Sequence, residues 1–321
     1  AAVAHMLCEP TRGVRCRRRV SVNVEAAKAS IIVRSRHPPL ASMAAWLAAL
    51  DGRPEDFRRW SAATQTGEMA GPPGDGTASM ASSRALVQAL GCREGPRAML
   101  GHVQVSLDAE PAWSPWRPVA MLLAAYGHQM VGDTDRAQAL FADIVDTAGV
   151  LAPDTRRVAL AECALAQLDG GSWRQAEPLV EEFWRSLRDA GADDYLTSLL
   201  GMVASARVAI RRGDVRRAKD ELSRVQLLRR LVSWAVPWLG VRCLTELARA
   251  QFRVGDASGA RASVAQARAV VAHRPLLGTL VHAVDDLDQL TEQSSGNPAD
   301  HAASLTDREL RLLPFLQTYL T

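Results

Sequence analysis

Four stretches of the chain fall into one register when aligned on a glycine: AYGHQMVGDTDRA, ALAQLDGGSWRQA, ARVAIRRGDVRRA and ARAQFRVGDASGA. The glycines, Gly132, Gly171, Gly213 and Gly255, are spaced 39, 42 and 42 residues apart. An alanine lies seven residues before each (Ala125, Ala164, Ala206, Ala248) and another five residues after each (Ala137, Ala176, Ala218, Ala260). Four residues further on comes an apolar side chain: Phe141, Val180, Leu222 or Val264. Self-similarity at such a fixed period marks a repeat architecture.

The repeat has a physical reading. Glycine ends a helix in a left-handed cap without a Cβ clash. A short polar turn then opens a second helix antiparallel to the first. The paired alanines let helix backbones approach, and the larger apolar residues fill the space between successive hairpins. One hairpin cannot bury its own faces, so copies must stack. The expected fold is therefore all-α, a right-handed superhelix of stacked antiparallel helical hairpins over residues 41–291. Clear repeats occupy 116–273. Degenerate hairpins with turns at Gly52 and Gly91 occupy 41–108, and 275–291 reads as a capping helix.

Breaks divide the rest. GEMAGPPGDGTAS (67–79) and DAEPAWSPW (108–116) are loops, with Trp113 and Trp116 read as packing anchors. EQSSGNPADHAAS (292–304) reads as a linker. Residues 1–40 carry the basic run RGVRCRRRV without helical period and read as an unassigned, solvated or disordered terminus, with a nucleic-acid arm as the alternative. The opening AAVAHMLCEP lacks an initiator methionine and does not read as a signal peptide, since no apolar stretch follows a basic one, and both ends read as cut.

Composition excludes several function classes. A net charge of +3 is too small to argue nucleic-acid binding by itself. Only Lys28 and Lys219 among 38 basic residues are lysines, a bias attributed to genome composition. Cys8, Cys16, Cys92, Cys163 and Cys243 have neither paired nor metal-ligand spacing, so free thiols in a cytoplasmic protein are expected and no metal site is. No uncharged apolar run is long enough for a membrane span. Phosphate-loop, nucleophile-elbow and zinc-protease motifs are all missing. Asp193–Asp194, Asp285–Asp286 and His128 read as helix-end or surface groups. The expectation is a protein that is not an enzyme and holds no cofactor in this chain.

The last line, SLTDRELRLLPFLQTYLT, opens with a capping box: Thr306 and Glu309 can satisfy each other's backbone N–H. Leu305 and Leu310 are placed as a hydrophobic staple, and Leu310, Leu313 and Leu316 share one face. This stretch resembles the start of a LuxR-type helix-turn-helix domain, with Leu305, Thr306, Arg308, Glu309, Leu312 and Leu313 matching that signature. Pro314 and Tyr319 depart from it. The solenoid pattern, Ala-x6-Gly-x4-Ala followed by an apolar residue, resembles the looser tetratricopeptide-like (TPR-like) repeats. Together, over roughly residues 116–321, the two resemble the large MalT-like, ATP-binding LuxR-family regulators.

The resemblance implies a fragment of a DNA-binding transcription regulator. Its solenoid would be a sensor and protein-interaction module, and its DNA-binding domain would start at 305 and be incomplete at 321. DNA would then be bound only by the completed domain, with dimerisation on DNA, and ATP only in an N-terminal module outside this chain. A stand-alone TPR-like adaptor is the alternative.

One surface invites a ligand reading. Arg207 and Arg211 lie one turn apart, as do Arg249 and Arg253, and both cross-repeat offsets equal the glycine spacing of 42. Arg242 extends the set by two turns. In TPR-like stacks such positions face the concave groove, which would suit an anionic effector or an acidic partner segment. The competing reading is a solvated face of an arginine-rich protein.

Overall fold

The computed structural model describes residues 37–66, 73–191 and 194–295. Among these residues it contains thirteen α-helices and no strand. In chain order they are α1 (Pro38–Leu50), α2 (Pro54–Thr64), α3 (Met80–Gly91), α4 (Pro96–Ala109), α5 (Trp116–Val131), α6 (Thr134–Thr147) and α7 (Pro153–Asp169). They continue as α8 (Trp173–Ala190), α9 (Leu199–Arg211), α10 (Val215–Leu228), α11 (Pro237–Arg253), α12 (Ala257–His273) and α13 (Thr279–Ser295). Five helices begin on a proline (Pro38, Pro54, Pro96, Pro153 and Pro237), where the missing N–H costs no helical hydrogen bond. The first helix starts at Pro38 and the last spans 279–295, so both ends of the stack are shifted by a few residues from the sequence-based bounds.

Consecutive helices pair as the hairpins α1/α2, α3/α4, α5/α6, α7/α8, α9/α10 and α11/α12, with α13 completing the stack. The odd-numbered helices also touch one another in succession. They form an inner layer, and the even-numbered helices form the outer one. All eight register alanines are completely buried, and Phe141, Val180, Leu222 and Val264 are buried with them. Glycine performs the same backbone task in each clear repeat: φ is +90° at Gly132, +81° at Gly171 and +80° at Gly213 and Gly255. After three of them an aspartate caps the next helix, Asp133, Asp214 and Asp256 accepting from the N–H of Arg136, Arg217 and Gly259.

The degenerate hairpins deviate from the expected turn chemistry once. Gly91 is the last residue of α3, and the left-handed cap is taken by Cys92 at φ 43°. Gly91 is required for another reason: a Cβ there would stand 2.9 Å from the Phe57 ring. Trp116 packs against Trp46 with ring centroids 5.3 Å apart and donates its indole N–H to Asp75 O at 3.0 Å, as an anchor should. Trp113 does not fill that role, being 75% exposed.

The stack curls back on itself. The Trp238 indole N–H on α11 donates to Leu90 O on α3 at 2.9 Å, and Arg274 Nε donates to Gly91 O at 3.2 Å. Thr279 Oγ1 donates to Gln129 O at 2.9 Å, bringing α13 onto α5. The turn at Gly52 fits so closely to the short turn Arg229–Leu231 that a Cβ would lie 2.8 Å from Leu231 O. The inner helices therefore meet across the centre instead of lining an open groove.

Candidate functional site

Spacing on α11 sets up the centre of the molecule. Glu246 lies four residues after Arg242 and three before Arg249, so one helix face presents a carboxylate between two guanidiniums. Arg242 Nη1 donates to Glu246 at 2.7 Å and Arg249 Nη1 donates to it at 2.5 Å. Arg207 of α9 also donates to Glu246, and its other nitrogen reaches Asp169 of α7 at 2.6 Å. Across the interior, Arg242 donates to both oxygens of Glu162 on α7, through Nε at 3.1 and 3.3 Å and Nη2 at 3.0 Å. Tyr126 Oη of α5 completes the cluster with a 2.8 Å bond to Glu162.

The cluster balances its charge: Glu162, Glu246 and Asp169 face Arg207, Arg242 and Arg249. Glu162 and Glu246 are fully buried and Arg242 is 12% exposed. Isolated charges would be expelled from such a site, so mutual pairing is the condition for their presence. Burial pushes the Glu246 carboxyl up, but Arg242, Arg207 and Arg249 together outweigh it and hold the group below the ordinary carboxylate range. Burial also disfavours the Arg242 cation, yet Glu162 and Glu246 reverse the sign and leave its pKa raised. Burial, followed by the charge of Glu162, raises the Tyr126 hydroxyl well above its usual value. Glu246, Arg242 and Tyr126 are thereby fixed in their ordinary protonation states near neutrality.

This geometry places the arginines identified in the sequence. Arg207, Arg242 and Arg249 do come together, on shared carboxylates of the chain itself. Arg211 and Arg253 stand apart from them, exposed in the last turns of α9 and α11, and neither makes an ion pair among the described residues. The 42-residue offset thus identified neighbouring columns but not their partners. Glu162 and Glu246 were the missed residues. Their signal was present: each is a lone acid in a mainly apolar stretch, VALAECALA and CLTELARA.

Beside the ionic cluster is an apolar pocket of about 120 Å³ between α1, α5, α7 and α11, closed on one side by Leu196 and Thr197 ahead of α9. Trp46, Trp116 and Trp238 supply much of its wall. Trp238 also packs on Tyr126 with ring centroids 4.4 Å apart, which ties the pocket to the ionic cluster. The indole N–H groups of Trp116 and Trp238 are already engaged by the backbone carbonyls of Asp75 and Leu90, so both rings offer the pocket carbon surface. The acids at the lining, Asp51 and Asp154, are paired with Arg53 at 3.1 Å and with Arg157.

Free thiols occur at Cys92, Cys163 and Cys243. Burial pushes Cys92 up to about 12 and Cys163 to about 11, and raises Cys243 further, so none is a ready nucleophile. Among the described residues no group of three or more His, Cys, Asp or Glu is arranged to hold a metal, and no helix is long and apolar enough to cross a membrane. His128, in the last turn of α5, pairs with Asp133 at 3.1 Å. Leu305, Thr306, Arg308 and Glu309 lie outside the described residues. No protein-family profile and no curated protein matches the chain.

Proposed function

We propose that the chain is the sensor part of a cytoplasmic LuxR-type transcription regulator, in which the solenoid receives a signal and a helix-turn-helix beginning at Leu305 binds DNA. The observation that carries this reading is the run Leu305-Thr306-Asp307-Arg308-Glu309, with its capping box, directly after a linker that follows a helical solenoid. An interior that holds a ligand-sized pocket supports sensing. The adaptor alternative is less well supported, because an adaptor of this class captures peptide in an open concave groove and the inner helices here contact one another. The chain acts by binding and not by catalysis: the acids of its central cluster, Glu162 and Glu246, are neutralised by arginines and its described thiols are raised by burial.

On this reading, base recognition belongs to the second helix of the completed helix-turn-helix, most naturally in a dimer on paired half-sites. ATP, where the type uses it, would be held by a separate N-terminal module. The test is selection from a random duplex pool with protein expressed from its natural reading frame. Enrichment of a discrete, two-fold related sequence is expected. A pool that stays random after repeated selection, with the protein folded, refutes the regulator reading.

A further inference from the structure

We propose that the pocket between α1, α5, α7 and α11 binds an uncharged, largely apolar molecule about the size of one ring, oriented by a single hydrogen-bonding group on the hydroxyls of Thr155 and Thr197. The sensor reading gives this site its purpose, while the binding itself rests on the pocket alone.

Size sets the first limit. The cavity is about 120 Å³, and apolar protein cavities of roughly 150 Å³ stay dry and accept benzene. A peptide helix, roughly 10 Å across, does not fit between the four inner helices that enclose it. A single six-membered ring with a short substituent does.

Charge sets the second limit. No arginine or lysine lines the pocket, and its two acids, Asp51 and Asp154, are already paired with Arg53 and Arg157. An anion would lose its hydration against indole and leucine surface with no counter-charge to replace it. The arginines that could have served an anion, Arg207, Arg242 and Arg249, are held by Glu246, Glu162 and Asp169 a short way along the same helices. A cation would have to share carboxylates that Arg53 and Arg157 already neutralise, which leaves it little net charge to gain. An uncharged molecule meets neither obstacle, and a wall that includes Trp46, Trp116 and Trp238 favours an aromatic one.

Two threonines give the site a direction; the third hydroxyl-bearing residue of the lining, Tyr195, is 47% exposed. Thr155, in the first turn of α7, is 6% exposed and contributes to the pocket lining, as does Thr197 from the turn before α9. Neither hydroxyl makes a hydrogen bond to a described residue, and neither is sealed from the cavity. A threonine hydroxyl can both donate and accept, so the pair can serve a ligand hydroxyl or carbonyl.

The test uses the full 321-residue chain and four one-ring probes: toluene, benzyl alcohol, benzoate and benzylamine. Affinities are read by calorimetry and ligand-observed NMR. Toluene and benzyl alcohol are expected to bind, with benzoate and benzylamine weaker by about tenfold or more. Val119→Phe, which adds bulk from the half-buried pocket side of α5, should abolish binding of both neutral probes. Thr155→Val should weaken benzyl alcohol roughly 3- to 10-fold and leave toluene unchanged. Helical circular dichroism confirms that each variant is folded, and Ala152→Phe replaces Val119→Phe should that variant not fold. Benzoate binding as well as benzyl alcohol overturns the proposal. So does the absence of any neutral binding, or neutral binding that both filling variants leave intact. Failure here leaves the DNA selection untouched, and failure of the DNA selection leaves the pocket result untouched, so the two readings are judged separately.

Discussion

Removing the charge of Glu246 without changing its shape, as Glu246→Gln, isolates the contribution of the buried ionic cluster. The wild-type carboxylate is fully buried and accepts from Arg207, Arg242 and Arg249. After substitution, Arg242 keeps its bonds to both oxygens of Glu162 and Arg207 keeps Asp169. Arg249, already 37% exposed, can turn to water. One buried positive charge is left without its counterpart, and the new amide N–H₂ points a donor at donors. Breaking a fully buried pair costs about 3–5 kcal/mol, and the surviving partners put this case near the lower end, about 3 kcal/mol. In a helical domain of this size that corresponds to roughly 6–12 °C in Tm.

The pH dependence adds a second signature. Because Glu246 in the folded chain is held below its unfolded value, its stabilisation is fully present above the ordinary glutamate pKa of about 4.3. It is lost as pH falls through the folded value. Urea unfolding followed by helical circular dichroism should therefore show wild type and Glu246→Gln far apart at pH 7 and converging in acid. Equal stability at pH 7, within about 0.5 kcal/mol, or a gap that does not narrow in acid, refutes the assignment of this cluster as a charge-paired core.

Other expectations follow from single positions. Ala218, completely buried in α10, has no room for extra methylenes, so Ala218→Leu should destabilise by about 1–3 kcal/mol in chemical unfolding. Gly278 has φ +55° and a Cβ there would stand 1.9 Å from Met130 O, so Gly278→Ala should cost about 1–3 kcal/mol and loosen α13 from α5, seen as faster amide exchange in both. The double variant Arg211→Glu/Arg253→Glu should leave unfolding within about 0.5 kcal/mol of wild type, since both side chains are exposed and unpaired among the described residues; a large loss would place them in a network that the geometry does not contain. Cys92 and Cys243, buried and with raised pKa values, should resist alkylation at pH 8 until the chain unfolds, as read by mass spectrometry.

What the sequence reveals and what it hides divide along contact range. The hairpins are local objects: a left-handed glycine, an alanine seven before it and another five after it fix each turn and each helix contact within a few dozen residues. That is why the register held at all eight alanines and all four glycines. The turn expected at Gly91 falls instead at Cys92 because a glycine can answer two needs, and there the close approach of Phe57 is the one that applies. Closure of the stack was not legible. Arg242 meets Glu162 80 residues away and Trp238 meets Leu90 148 residues away, and no local period encodes either pairing. Charge was misleading for the same reason. A column of arginines looks like an open basic groove until the acids of a distant helix are brought against it. The apolar pocket was equally hidden, because its walls come from α1, α5, α7 and α11 and only folding assembles them.

Energetic coupling between the inner pocket and DNA binding is what makes a solenoid a sensor. It is measured directly by titrating the selected duplex with protein from the natural reading frame, in the presence and absence of saturating benzyl alcohol. Linkage predicts a change in DNA affinity of roughly 5- to 150-fold, which Val119→Phe removes by filling the pocket. Superimposable DNA isotherms with and without the pocket ligand, on protein shown to bind both, would contradict it.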